Sequence, residues 1–299
     1  MATADEKIIT VEGKSIRITH PEKVLFKPSG ITKMELIDYY LRMAPYILAH
    51  NRGRPVVFVR YPHGAPGYAF FQKNVPPSAP EWIETHEMGK YKLTRYVIIN
   101  GVAELVWLVQ LHALEFHVMP LKKPHWTTPD LMVFDLDPPE GAGFADIKDF
   151  ALACRPVLEE AGYRVYVKTS GKKGLHLVCP IRPHYTVDQV LEAARDLAQR
   201  IIDRTGHATL DVRKDKRQGK FLIDIYRNRA YQTFSMAYGT RATGVASVSL
   251  PVTWKQLAAI DDPLAFTIRN VPAWVTQNGD AWHDMESRAT DLHTVETGN

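Results

Sequence analysis

Leu131-Met-Val-Phe-Asp-Leu-Asp137-Pro138 is an apolar run broken by two acids at alternate positions. Along an extended chain, alternation sets Val133, Asp135 and Asp137 on one face and Met132, Phe134 and Leu136 on the other. This predicts a strand with one wholly apolar side. Pro138 marks its end, because the residue before a proline is driven into extended geometry. Outward from it, the pattern predicts a helix over 146–161 stopped by Gly162, a strand over 163–169, a glycine-bearing loop and a strand over 175–179. A second helix opens at Thr186, with Gln189 completing a capping box, and ends near Gly206. A short strand over 209–212, a basic run and a strand over 221–226 close the series. The order is β-α-β-β-α-β, a ferredoxin-like core, and the fold class expected is α+β.

In that order the first strand is central, flanked by the third and the fourth. Asp224 shares a face with Leu222 and Tyr226, and His176 with Val178. If the registers agree, Asp135, Asp137, Asp224 and His176 converge on the open side of the sheet. Charges among apolar neighbours are costly unless partnered, and a cation is the natural partner. Two carboxylates two residues apart on a strand are separated by ~6.6–6.8 Å, a spacing suited to two divalent ions. Oxygen ligands favour Mg²⁺ or Mn²⁺ over zinc.

Upstream, residues 22–50 predict a short strand and a helix, with Thr32 and Glu35 forming a capping box and Leu36, Tyr39, Tyr40 and Met43 at helical spacing. A buried strand over 56–59 leads to a loop over 62–80, rich in Pro and Gly, where little regular structure is expected. A helix over 102–114 and a strand over 114–118 follow. There is no internal repeat. At 299 residues, with 45% hydrophobic and 23% charged, the chain can bury a sizeable core, which excludes a linker, tail or disordered segment. Cys154 and Cys179 make neither a disulfide framework nor zinc spacing, so a reducing cytoplasm is expected. Residues 1–10 do not form a signal peptide, and the most apolar stretch, 97–118, contains Asn100, Glu104, Gln110, His112 and Glu115, so no membrane span is expected.

The net charge of +4 decides little. Its distribution is more telling. No acid lies between Glu160 and Asp188, whereas Arg164, Lys168, Lys172, Lys173 and Arg182 do. A second basic run spans Arg213 to Arg229, and the residues after Asp280 are acidic. Clustered Lys and Arg attract phosphates, which points to a polyanionic partner. Ser170-Gly-Lys-Lys-Gly-Leu-His176 precedes a strand, so it is no Walker-type loop. Its glycines expose N–H groups, and Ser170, Lys172, Lys173 and His176 offer donors to phosphate oxygens. Arg217, Lys220 and Arg241 add phosphate-binding chemistry. Lys33 stands in the first turn of a helix, where a basic residue opposes the dipole, a sign that an anion is received. Phe70-Phe71 either stacks on bases or anchors its loop. His117, on a strand, reads as a hydrogen-bonding residue.

Taken in order, Ala113-Leu-Glu-Phe-His117, Asp135-Leu-Asp137-Pro138, Thr169 to His176 and Ile223-Asp224, with Phe70-Phe71 upstream, resemble the polymerase domain of bacterial and archaeal DNA ligase D, of the archaeo-eukaryotic primase superfamily. The likeness covers roughly residues 15–285. It implies one primase-polymerase catalytic domain over 1–299: a DNA-contacting subregion over 1–120, the catalytic core over 130–245 and a C-terminal segment over 246–299. It further implies nucleotide addition to DNA 3′ ends at gaps and double-strand breaks in non-homologous end joining, a preference for NTPs over dNTPs, and ready use of Mn²⁺ or Mg²⁺. The partners it implies are gapped or broken DNA with a 5′-phosphate, Ku and a DNA ligase, in a cytoplasmic, nucleoid-associated setting. Asp135, Asp137 and Asp224 match the metal-binding catalytic carboxylates. Ser170, His176 and Arg241, joined by Lys172, His117 and Arg227, match the nucleotide-binding residues. Lys23 and Lys33 match the pair that grips a 5′-phosphate, and Phe70 and Phe71 match template contacts; Arg217 and Lys220 join them as expected DNA-binding residues. No Lys-x-Asp-Gly ligase motif occurs, so ligation is expected in a separate chain or in another part of a larger protein. Two other classes compete. A Mn²⁺-dependent glycosyltransferase would use Asp-x-Asp but not Lys33, and a non-catalytic DNA-end-binding module would keep the lysines but not need the carboxylates.

Overall fold

The computed structural model describes residues 5–293, which fold as two compact units. Unit one holds the chain up to Met119, with Ser235–Leu250 and Leu264–Asp280; unit two holds Pro120–Phe234, Pro251–Pro263 and the chain from Ala281.

Unit one begins with the antiparallel pair β1 (Glu6–Val11) and β2 (Lys14–Thr19) and the short pair β3 (Val24–Phe26) and β4 (Ile31–Thr32). Thr32 caps α1 (Lys33–Asn51) in the expected box: its side chain accepts from the Glu35 amide, and Glu35 accepts from the Thr32 amide at 2.8 Å. Leu36, Tyr40, Met43 and Ile47 form the buried stripe of α1, each contributing about 1.5–3 kcal/mol of apolar burial. Next come β5 (Pro55–Arg60), β6 (Phe70–Gln72), β7 (Thr85–Met88), β8 (Thr94–Ile98), α2 (Val102–Gln110) and β9 (Ala113–Val118). Helix α2 stops short of the expected 114, because His112 takes a left-handed φ of +64° and turns the chain into β9. The loop over 62–80 is also more regular than expected: Phe70 and Phe71 lie on β6, paired with Arg60 and Val59 of β5.

In unit two, β10 (Leu131–Asp137) is followed by α3 (Phe144–Glu160), β11 (Tyr166–Thr169), β12 (Leu175–Pro180), α4 (Val187–Thr205), β13 (Ala208–Thr209) and β14 (Phe221–Asp224). Thr186 and Gln189 form the box that opens α4, and Gly206, at φ +73°, closes it. The chain then forms β15 (Phe234–Ser235), re-entering unit one, then β16 (Pro251–Val252) and α5 (Trp254–Ala258) in unit two, and α6 (Val271–Asn278) in unit one.

The unit-two sheet runs β13-β14-β10-β12-β11-β16. Strand β10 is therefore central and antiparallel to both neighbours, β12 and β14. Met132, Phe134 and Leu136 are fully buried on the face covered by α3 and α4, leaving the acids on the other. The predicted strand over 221–226 ends at Asp224: Ile225 adopts helical angles, and the Asp224 carboxylate accepts from the Tyr226 amide at 2.9 Å. The local side-chain bond competes with the ladder and starts the 3-10 turn Tyr226–Asn228, so Tyr226 does not continue the Asp224 face. Strand β13 ends at Thr209 for the same reason, its hydroxyl accepting from the Asp211 amide at 3.1 Å.

Candidate active site

The unit-two ladder sets one row of side chains across four strands. Asp224 stands opposite Asp135, Asp135 opposite His176, and His176 opposite Lys168. His176 Nε2 lies 3.2 Å from Asp135 Oδ1. The guanidinium of Arg227 bridges the two acids, its Nε 3.1 Å from Asp135 Oδ2 and its Nη2 2.8 Å from Asp224 Oδ2. The 3-10 turn is what brings Arg227 back over the acids. Asn228 anchors that turn: its amide donates to the Val133 carbonyl at 2.7 Å and accepts from the Val133 amide at 2.8 Å, pairing with β10 as a strand residue would.

The electrostatics of the three acids diverge. Burial pushes Asp135 up, but His176, Arg227 and Lys168 prevail and hold it well below the usual carboxylate range. Asp137 is pushed up to about 6 by burial and by the charge of Asp135, against Arg217 and Arg227. Burial and Asp135 also raise Asp224, opposed by Arg227. Asp137 has no hydrogen-bond or ion-pair partner among the described residues. Repulsion between neighbouring carboxylates is what a bound cation relieves.

The 170–174 turn abuts the end of β10. Ser170 Oγ accepts from the amides of Lys172 at 3.2 Å and Gly174 at 3.1 Å, while the Ser170 amide donates to the Gly174 carbonyl at 3.0 Å. A Cβ at Gly174 would sit 2.4 Å from the Leu136 carbonyl oxygen, so only glycine fits. The turn is thereby fixed beside the carboxylates, with Lys172 and Lys173 exposed. Arg217 donates from Nη2 to the Val212 carbonyl at 3.0 Å, and its charge reaches Asp137 and Asp224. Lys220 is half-buried.

Unit one gathers a second cluster. Glu115, on β9, is 3% exposed. Its Oε2 accepts from Arg241 Nε at 3.1 Å and lies 3.3 Å from His117 Nε2, and its Oε1 accepts from the Ala242 amide at 3.0 Å. His117 is thus the hydrogen-bonding residue expected. The Phe71 ring, 66% exposed, lies 5.8 Å from the His117 ring, and Phe70 is half-buried beneath Arg60. Lys33, whose place in the first turn suggested an anion receiver, is held inside unit one. It is fully buried, its ammonium donating to the Thr19 carbonyl and to Gln110 Oε1 at 3.1 Å, and its pKa is lowered to about 8 by burial and by Lys23. Lys23, half-buried, donates to the Pro62 carbonyl at 2.8 Å.

Among the described residues, no group of three or more His, Cys, Asp or Glu side chains stands ready to hold a metal ion. In the carboxylate cluster, Arg227 supplies the countercharge to Asp135 and Asp224. The donor chemistry nevertheless fits a hard divalent cation: three carboxylates, no thiolate, and one acid left unpaired. Sequence reasoning gave Glu115 no site role and counted Lys168 only within the basic stretch, although both are charged residues on apolar strands, the signal that singled out Asp135.

Carboxylates on the open face of a ferredoxin-like sheet, beside a glycine-bearing basic turn, are the donor types that metal-dependent nucleotidyl transfer uses. Residues 32–282 match the family model of the primase-polymerase domain of LigD, and the chain belongs to that family. It is 35% identical over 255 residues to the multifunctional non-homologous end joining protein LigD of Mycolicibacterium smegmatis, covering 81% of this chain and 32% of that protein. It is 28% identical over 278 residues to the bifunctional LigD of Bacillus subtilis, covering 92% of this chain and 45% of the relative. The chain therefore spans 32% to 45% of the length of these relatives. Among solved structures it is similar to the polymerase domain of Mycobacterium tuberculosis ligase D in complex with DNA, with a TM-score of 0.84 and 31% identity, over 92% of this chain and 99% of that one. No helix among the described residues is long and apolar enough to cross a membrane.

Proposed function

We propose that this chain adds nucleotides to DNA 3′ ends at gaps and double-strand breaks during end joining, alongside Ku and a DNA ligase. The observation that carries the reading is the row Asp224, Asp135 and His176 on the open face of the unit-two sheet. Asp135, Asp137 and Asp224 would hold divalent cations, Mg²⁺ or Mn²⁺, which when bound neutralise phosphoryl charge and lower the pKa of a primer 3′-hydroxyl.

The chain's own residues prepare that chemistry. His176 and Arg227 each engage one oxygen of Asp135, which orients its carboxylate. The fixed turn with Ser170 and Lys172 presents donors to a triphosphate. His117 and Arg241 are assigned to the nucleotide by the family resemblance. Lys23 and Lys33 are assigned to the downstream 5′-phosphate. For Lys33 this requires its ammonium to exchange the Thr19 carbonyl and Gln110 for the phosphate. Phe70 and Phe71 offer apolar ring surface to template bases. The similarity to a ligase D polymerase domain held with DNA supports the DNA partner.

The test is primer extension on a 5′-phosphorylated gapped duplex, with NTP or dNTP and Mg²⁺ or Mn²⁺. The expected result is addition with NTPs favoured and the phosphorylated gap preferred. DNA binding with no addition under any of the four combinations would reduce the chain to an end-binding module. Equal binding of phosphorylated and unphosphorylated gaps would remove Lys23 and Lys33 from their role.

A further inference from the structure

Glu115 is the least expected charge in unit one. It sits mid-strand between Leu114 and Phe116, both fully buried, and is itself 3% exposed. A carboxylate in such surroundings is costly unless its oxygens are satisfied, and here both are. Three donors surround it: Arg241 Nε at 3.1 Å and His117 Nε2 at 3.3 Å on Oε2, and the Ala242 amide at 3.0 Å on Oε1. His117 lies two residues along β9 and so projects on the same face. Arg241 arrives from a segment far away in sequence, and its approach is fixed twice more. The Thr240 hydroxyl donates to the Leu114 carbonyl at 2.6 Å, and the Tyr40 hydroxyl lies 2.8 Å from Thr240 Oγ1. Backbone and side chain around residue 241 are thus registered to β9, and the carboxylate sets the guanidinium and the imidazole relative to each other.

We propose that Glu115 is a positioning residue for the incoming nucleotide, holding Arg241 and His117 in the arrangement that receives it. This rests on the reading of those two residues as nucleotide contacts. Glu115 acts through them and does not itself touch the nucleotide, whose phosphates it would repel. Its loss should therefore weaken nucleotide binding more than turnover.

The test is Glu115→Gln, which keeps the shape and removes the charge. In primer extension on the gapped duplex, KM for the nucleotide should rise about tenfold while kcat stays within about threefold. A double-mutant cycle with Arg241→Ala separates positioning from a merely structural role. Because Glu115 works through Arg241 as well as His117, adding Glu115→Gln to Arg241→Ala should raise KM clearly less than the roughly tenfold expected in the wild-type background; independent effects would multiply. Unfolding temperatures of all variants exclude global disruption. A wild type that extends primers together with a Glu115→Gln variant of unchanged KM would overturn the proposal. A second readout does not depend on polymerase activity: the NMR signals of the Arg241 Nε–H and the His117 ring should move in Glu115→Gln, with faster exchange of the Nε–H. Unchanged signals would overturn the clamp. A wild type that extends nothing, with signals that do move, would instead refute the polymerase reading and the nucleotide role with it.

Discussion

Each unit contains an acid held between a histidine and an arginine, fully buried at Glu115 and half-buried at Asp135, and the two trios differ in what surrounds them. Asp135 gives one oxygen to His176 at 3.2 Å and the other to Arg227 at 3.1 Å. Glu115 gives Oε2 to both His117 and Arg241 and keeps Oε1 for a backbone amide. Asp135 has two further carboxylates as neighbours, Asp224 opposite it and Asp137 two residues along. Glu115 stands as one acid against two basic side chains. On the proposed reading the same local chemistry would serve opposite ends. Where acids crowd, the histidine and arginine would restrain a carboxylate that holds a cation. Where a single acid meets two basic groups, the carboxylate would restrain groups that receive an anion.

The largest test of this contrast is Asp135→Ala. Loss of a metal-holding carboxylate should lower nucleotide addition about a thousandfold, several kcal/mol of transition-state stabilisation, while DNA affinity stays nearly unchanged. Measurable extension by this variant with Mn²⁺ would remove Asp135 from catalysis and collapse the distinction between the two trios. Glu115→Gln, acting mainly on KM, is the matching perturbation in unit one.

A smaller effect is expected from pH at Lys33, whose pKa falls from 10.5 to about 8. The ammonium begins to be lost above about pH 8, so preference for a 5′-phosphorylated gap should decline about tenfold per pH unit there; Lys33→Arg, charged throughout, should abolish the pH dependence if it still binds phosphate. Stability moves the other way. Between about 8 and 10.5 the unfolded chain binds more protons at this site than the folded one, so the contribution of Lys33 to stability rises with pH across that window. Phosphate preference that stays flat from pH 7 to 9 in the wild type would show that Lys33 does not grip the phosphate.

The smallest effect belongs to Phe71→Ala. With the side chain 66% exposed, its removal should change unfolding free energy by no more than about 0.5 kcal/mol. Affinity for gapped DNA should fall about fivefold, roughly 1 kcal/mol of lost base contact. Unchanged affinity in a fluorescence anisotropy titration would assign Phe71 to packing near His117 instead.

The unit-two core was legible because its signals are local. The capping box of Thr186 with Gln189, glycines at 162 and 206 and the alternation over 131–137 fix element type and face. The β-α-β-β-α-β order then leaves β10 central, and the opposition of Asp135 to Asp224 and His176 follows from register. What the sequence did not disclose depends on contacts between distant residues or on local competition. The Asp224 side chain captures the Tyr226 amide and ends the strand early, and Arg227 over the acids is a result of that turn. Burial of Lys33 depends on Gln110, 77 residues away, and the Glu115 clamp on Arg241, 126 residues away. Strand β6 within the expected loop exists because β5 offers Val59 and Arg60 as partners.

Gly174 carries one more consequence. With the Leu136 carbonyl 2.4 Å from where a Cβ would stand, the turn and the strand are seated with no clearance, like two machined parts sharing a stop. Neither can be adjusted alone. A residue inserted into the turn would displace the Asp135–Asp137 ladder as well, whereas the exposed stretch around Lys214 can change length without that penalty. Changes of length in this unit are therefore tolerated at the exposed stretch around Lys214 and not at the glycine.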